Sequence, residues 1–440
     1  TLALLFGFWV QGLHAGAHVE LPLELEGELK GAPYRIMVPE NWNGTLLVYA
    51  RGTGQSFTID GKVGLSPLVN VAGVDPEVSN HSAQVLEGDL LEQGYALAAS
   101  AYSNPGLWVV QDGISDTLAL TIFFRHRVGK PDRTIIWSRS QGTLVALKSI
   151  KKFQGIYDGV IAGCAVGAGA PRTWDSAVDF ALAYDVAFKD VGGWLDSWGS
   201  VGDVHDDIVF ETDVASVLLW NLSDPVHPEN FGRFEFIRLV NKLPRPGFYP
   251  FDPEAGFEYF NWLFADMFFV TEVRAELERK ARGPVGQNLN HSYSLTDGDK
   301  AYLDNLGVDA ESLLDEMNAR TNIEASKCAR IYLRRFADFS GKISSPVLTM
   351  HTTGDGLVIP SHESAYRKTV EEAGRSDKLV QVFVDAVGHC TFTPAQWLAA
   401  VAAIEYWLDT GEAPNDAFFS EDIGFNNGFT PQPWPQPELQ

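Results

Sequence analysis

The sequence predicts an α/β fold, a mostly parallel central sheet flanked by helices and interrupted once by a long helical insertion. Short β-like apolar runs alternate with helix-length stretches through the first third of the chain and again near its end. Between them, over residues 167–335, no β alternation survives. At 440 residues the chain suits one large α/β domain carrying an insertion.

The runs LPLELEG (21–27), YRIMVP (34–39) and TLLVYA (45–50) lie close together, separated by turn residues that include Asn41, Asn43 and Gly44. They predict an antiparallel entry into the sheet. A helix at 81–92, strand 95–101, helix 111–127, strand 133–138, helix 141–153 and strand 157–163 follow. That repeated strand and helix order predicts parallel pairing among the later strands. The insertion is helical and rich in Trp and Phe, as in WDSAVDFALAYDVAF and FEYFNWLFADMFFV. The β pattern resumes at 345–353, with a helix at 362–374, a strand at 379–385 and a helix at 394–411. The expected organisation is a core of residues 18–166 and 336–412, the insertion at 167–335, and an irregular tail at 413–440 packed through its aromatics.

Composition narrows the function. Apolar residues make up 45% of the chain and charged residues 20%, which excludes disorder as the main state. The net charge of −24 makes phosphate backbones and anionic membranes poor partners, so neither nucleic acid nor membrane is expected. Residues 1–17 read as the remnant of a secretory signal peptide, an apolar run ending in an A-x-A-like arrangement at Ala15 and Ala17. Sequons at Asn43, Asn80, Asn221 and Asn290 are compatible with secretion. Three cysteines, Cys164, Cys328 and Cys390, allow at most one bridge and form no CxxC metal motif.

The chemistry is concentrated in three loops. After the strand RTIIWS the chain reads S-R-S-Q-G-T, which sets Ser140 between a strand and a helix with small residues, Ser138 and Gly142, two positions away on each side. A sharp strand-to-helix turn that exposes a nucleophile needs that arrangement, although the usual pattern is G-x-S-x-G. Downstream, G-D-G-L-V-I-P places Asp355 just beyond a strand, and A-V-G-H-C places His389 beyond the next. Catalytic side chains of open α/β sheets collect at those carboxyl edges. His351 reads as a buried, hydrogen-bonded histidine, and Asp385 as a weaker rival to Asp355. The cluster D-V-H-D-D at 203–207 lacks a recognised ligand spacing and reads as a solvated acidic loop; no metal is expected.

YRIMVPENWNGTLLVYARGTG, WSRSQGTLVAL, LTMHTTGDGLVIP and VGHCTFT together resemble the α/β-hydrolase superfamily, in particular its serine esterases, with a large helical lid inserted after the sixth core strand. The resemblance implies an α/β-hydrolase fold with Ser140 as nucleophile, His389 as general base and Asp355 as its partner, in the chain order of that superfamily. It also implies an oxyanion hole from the N–H groups of Gln141 and Thr53, no cofactor, and a small-molecule ester as substrate. Where many members have His-Gly, this chain has Arg51-Gly52; Arg51 reads as a tie that holds the loop through a carboxylate, ahead of a contact to a carboxylate-bearing substrate. A Cys328–Cys390 bridge would pin the lid to the histidine loop, while Cys164 reads as a small buried apolar residue. Lid aromatics, including Trp174, Trp194, Trp198, Trp220, Phe260, Trp262, Phe268 and Phe269, are expected to fill a helical core, with some facing a hydrophobic ester. A peptidase or amidase, and a catalytically silent binding protein, remain alternatives on the same fold.

Overall fold

The computed structural model describes residues 20–54, 58–71, 73–189, 228–244 and 266–435. The signal-peptide remnant at 1–17, the sequon at Asn221, the 203–207 cluster, and Trp194, Trp198, Trp220, Phe260 and Trp262 lie outside them.

Strands β1 (Leu23–Leu29), β2 (Ala32–Val38) and β3 (Thr45–Ala50) open the fold, and a two-stranded ribbon of β4 (Thr58–Ile59) and β5 (Lys62–Val63) follows. Next come α1 (Pro76–Glu92), β6 (Ala96–Ser100), α2 (Val110–Arg127), β7 (Arg133–Arg139), α3 (Gly142–Lys152) and β8 (Gly159–Gly163). The last part of the sheet is β9 (Val347–Gly354), α10 (Ser361–Glu372), β10 (Leu379–Val387) and α11 (Pro394–Thr410). An eight-stranded sheet results, in the order β1-β2-β6-β3-β7-β8-β9-β10. β1 pairs antiparallel with β2 and β2 with β6, while every later pairing is parallel. This is the α/β-hydrolase topology, and it brings the loops after β3, β7, β9 and β10 to one edge.

Both faces of the sheet are covered, which is why its strands read as nearly unbroken apolar runs. On β7, Ile135 and Trp137 pack with α1 and α11 through Leu86, Leu90, Trp397 and Ile404. Ile136 points the other way, into a core with Ile114 of α2 and Leu144 and Val145 of α3. Each such aliphatic side chain contributes about 1.5–3 kcal/mol on burial.

Two local departures from expectation have simple causes. α1 begins at Pro76, five residues earlier than the apolar pattern indicates, because Asp75 caps it: its Oδ1 accepts from the N–H of Glu77 at 2.8 Å, and Pro76 supplies a preset φ. The β4–β5 ribbon closes on Asp60-Gly61, both at positive φ (51° and 79°), the chemistry of a tight hairpin turn.

Between β8 and β9 every described element is helical: α4 (Gly169–Phe188), α5 (Pro228–Val240), a π-helical turn (Phe269–Val273) running into α6 (Arg274–Ala281), α7 (Asp297–Asn305), α8 (Ala310–Ala319) and α9 (Lys327–Ala337). α4, α5, α7 and α8 share a core of their own, in which Phe180, Tyr184, Phe188, Phe234, Phe236 and Met267 are buried together, whereas Leu277 of α6 and Ala329 and Leu333 of α9 join the core on the sheet face. After α11 the chain folds back over the sheet edge. Phe419 and Phe425 are buried there, and the N–H of Asn426 donates to the Phe383 carbonyl at 2.8 Å.

Candidate active site

Ser140 occupies the turn between β7 and α3 with φ of 51°, a left-handed conformation that L-residues with a Cβ adopt at a cost. The turn is held from several sides. Ser140 N–H donates to the Gly163 carbonyl at 3.0 Å, and its own carbonyl accepts from Thr143 N–H at 2.9 Å and Thr143 Oγ1 at 2.6 Å. Gly142 is required by close approach: a Cβ there would lie 2.2 Å from the Ala50 carbonyl oxygen and 2.5 Å from that of Arg51. Ser138, where the usual pattern has glycine, is buried, and its hydroxyl donates to the Ile161 carbonyl at 3.3 Å.

The three distant loops meet at this turn. His389 Nε2 lies 2.8 Å from Ser140 Oγ, and His389 Nδ1 lies 2.8 Å from Asp355 Oδ2. Asp355 is fully buried after β9, and its Oδ1 accepts from the N–H groups of Leu357 at 3.1 Å and Val358 at 2.9 Å. Gly388, at φ 97°, donates its N–H to the Gly354 carbonyl at 3.1 Å and accepts from Thr352 Oγ1 at 2.8 Å, which ties the histidine loop to the acid loop. The rival Asp385 is engaged elsewhere, accepting from Thr353 Oγ1 at 3.1 Å and Asn426 Nδ2 at 2.9 Å.

His351 is buried beneath the acid loop, its Nδ1 3.1 Å from Glu363 Oε1 and its Nε2 2.7 Å from the Val358 carbonyl oxygen. Burial opposes its protonation, but the hydrogen bond and charge of Glu363, with Asp355 and the Val358 carbonyl, hold it above the ordinary histidine value. It braces the loop from which Asp355 projects.

Of the two expected oxyanion donors, Gln141 follows Ser140 directly, and its side chain clamps the 107–109 loop: Oε1 accepts from Val109 N–H at 2.9 Å and Nε2 donates to the Leu107 carbonyl at 3.1 Å. Thr53 follows Gly52, where a Cβ would stand 3.2 Å from Ser140 Cβ and 3.7 Å from its Oγ, so this loop lies against the nucleophile. The Thr53 hydroxyl is itself buried with no hydrogen-bond partner among the described residues. The Arg51 guanidinium donates to the carbonyls of Ala101 at 3.1 Å and Gly54 at 2.9 Å and sits 4.6 Å from the centre of the Tyr102 ring, so carbonyl oxygens and a ring fix the loop.

The cysteine expectation is corrected. Cys164, closing β8, is bonded to Cys390, with the two Cα atoms 5.6 Å apart, and Cys328 is free and exposed on α9. Parallel strands spread across the sheet bring the ends of β8 and β10 onto one edge, a proximity that sequence separation hides. The bridge fastens the residue after His389 to the core and closes a loop of 226 residues. Replacing both cysteines by Ala is expected to lower the unfolding free energy by about 2–5 kcal/mol, read from urea denaturation. A variant as stable as wild type would show that the bridge adds nothing.

Beside Ser140 opens a cavity of about 120 Å³, walled largely by Trp108, Trp174, Phe180, Phe269 and Val273. Three residues on its wall, His362, Asp266 and, from the tail, Trp434, carried no sequence signal that ties them to the loops above. The Trp434 ring packs edge-on against His362, centres 4.7 Å apart. Burial holds His362 well below the ordinary histidine value, and its Nδ1 accepts the N–H of Ala168 at 3.2 Å.

No protein-family model matches the chain. It is 24% identical over 458 residues to an o-phthalyl amidase of Xanthobacter agilis, with 90% of each chain covered. Among solved structures, an esterase from Aspergillus oryzae is similar at a TM-score of 0.43 and 13% identity, covering 87% of this chain and 78% of that one. Feruloyl esterase B from Aspergillus oryzae aligns at 0.39 and 12%, covering 89% and 80%. Candida antarctica lipase A in its closed state aligns at 0.39 and 12%, covering 87% and 75%. The sheet topology and the site at its edge define the class: this is a hydrolase of the α/β-hydrolase fold.

Proposed function

We propose that the chain is a serine hydrolase that cleaves carboxylic esters of hydrophobic or aromatic substrates through an acyl-enzyme. The observation that carries this is the continuous relay from Ser140 Oγ to His389 Nε2 and from His389 Nδ1 to Asp355 Oδ2, each step 2.8 Å. A hydroxyl is a weak nucleophile near neutral pH and needs a base within hydrogen-bond reach. As Ser140 Oγ bonds to the ester carbon, His389 Nε2 takes its proton, and Asp355 stabilises the imidazolium. The negative oxygen of the tetrahedral intermediate is received by the N–H groups of Gln141 and Thr53. The carbon–oxygen bond to the leaving group then breaks, and His389 returns the proton to the departing alkoxide. Water repeats the sequence on the acyl-enzyme, giving the acid and regenerating Ser140.

The aromatic cavity beside Ser140 supports an apolar or aryl acyl group, and the helices between β8 and β9 that supply Trp174, Phe180 and Phe269 would act as its lid. The Cys164–Cys390 bridge supports export to an oxidising compartment. No described helix is long and apolar enough to cross a membrane.

Hydrolysis of an aryl amide is the second reading, favoured by the o-phthalyl amidase relative that spans 90% of this chain. The acyl-enzyme chemistry is shared and the leaving group alone differs. Turnover of nitrophenyl esters, aminoacyl amides and a phthalyl amide by the wild-type chain separates the two. Esters are expected to be cleaved with the higher kcat/KM, and a clear preference for either amide would overturn the ester assignment.

A further inference from the structure

The wall of the acyl cavity carries one acid that the relay does not use. Asp266 stands three residues before the π-helical turn, and Asp266, Phe269, Val270 and Val273 all line the cavity, three, four and seven residues apart as on one helix face. Asp266 is 7% exposed, and its Oδ1 is buried with no hydrogen-bond partner among the described residues. Around it the cavity presents Trp108, Trp174 and Phe180. A buried polar atom left unpaired costs about 1–3 kcal/mol, and a leucine would fill the same wall without that cost. The helix widens just beyond it, over Phe269–Val273, a local irregularity that recurs at functional sites.

We propose that Asp266 is the specificity-determining residue of the acyl pocket: its carboxyl O–H donates to an oxygen acceptor carried by the substrate's acyl part, away from the scissile carbonyl. The substrate class is then an aryl or apolar acyl group bearing a carbonyl, ether or carboxylate oxygen, and a plain hydrocarbon acyl group is disfavoured. This rests on the serine-hydrolase reading of the same site. The protonation it needs follows from the surroundings. Burial, and then the negative charge of Asp355, push the Asp266 carboxyl well above its ordinary value, which favours the protonated form that can donate. Arg51, whose guanidinium could otherwise meet an anionic substituent, donates instead to the carbonyls of Gly54 in its own loop and of Ala101 after β6.

The test compares nitrophenyl esters of ortho-, meta- and para-acetylbenzoic acid with their isopropyl analogues, which have the same number of heavy atoms and the same branching and lack the acceptor. Wild type is expected to favour at least one acetyl isomer by about 10- to 100-fold in kcat/KM. Asp266→Leu should erase that preference and raise the thermal midpoint, whereas Asp266→Asn, which keeps an N–H donor, should retain part of it. Calorimetric binding of the corresponding benzamides to the Ser140→Ala chain reads the same preference without turnover. Absence of fluorophosphonate labelling in wild type would therefore sink the serine-hydrolase reading alone, and the binding comparison would still judge Asp266. The proposal is overturned by equal handling of every acetyl and isopropyl pair, or by a preference that survives Asp266→Leu. It is equally overturned if an aminomethylbenzoyl ester is the favoured substrate and loses that status in Asp266→Asn, since Asp266 would then act as an anion.

Discussion

Replacing Ser140 by Ala is expected to abolish fluorophosphonate labelling and to lower kcat on nitrophenyl esters by about 10⁶-fold, some 8 kcal/mol of transition-state stabilisation. The loss is that large because His389 and Asp355 act only through the Ser140 hydroxyl. With Oγ gone, the Nε2 that lies 2.8 Å from it has nothing to deprotonate. The fold should be indifferent. The turn is held by backbone bonds of Ser140, Gly163 and Thr143, which an alanine keeps. A second substitution separates chemistry from conformation. Because φ at this position is 51°, Ser140→Gly should be equally inactive yet more stable than wild type by about 1 kcal/mol in urea denaturation. Undiminished turnover in Ser140→Ala would remove the nucleophile assignment outright.

What the sequence makes legible is what is local. The strands of the sheet were legible because burial on both faces leaves long apolar runs, as in Leu46 to Ala50, and the elbow because steric demand at Gly142 writes itself into the sequence. Two missed features had local signals that were there to be used: Asp75-Pro76 opening α1, and Asp60-Gly61 between the short strands of the small ribbon. The Cys164–Cys390 bridge had none, since its partners are set by how far apart in the sheet β8 and β10 lie. Nor did Trp434, which reaches the cavity only because the tail turns back along β10. Asp266 lies between. A lone acid in FNWLFADMFF stands out against its neighbours, but whether it is paired, solvated or aimed at a ligand is a question about the cavity.

Asp355→Asn is expected to lower kcat/KM by about 10⁴-fold, or roughly 5 kcal/mol, although the side chain keeps its shape. The surroundings decide which way the new amide faces. Two N–H groups, from Leu357 and Val358, point at the position of Oδ1, so the amide oxygen must remain there and the NH₂ is forced toward His389. Facing a donor, Nδ1 has to accept, which moves the ring proton to Nε2. That nitrogen then points a hydrogen at Ser140 Oγ and can no longer remove one. The matched control is Asp385→Asn, whose carboxylate bonds only to Thr353 and Asn426 in the structure described, and whose activity should stay within about twofold of wild type, as for an ordinary surface change. Steady-state kinetics on both variants discriminates between the two acids directly. A loss confined to Asp385→Asn would transfer the role of the acid to the end of β10, and with it the reason for His351 and Glu363 to be buried where they are.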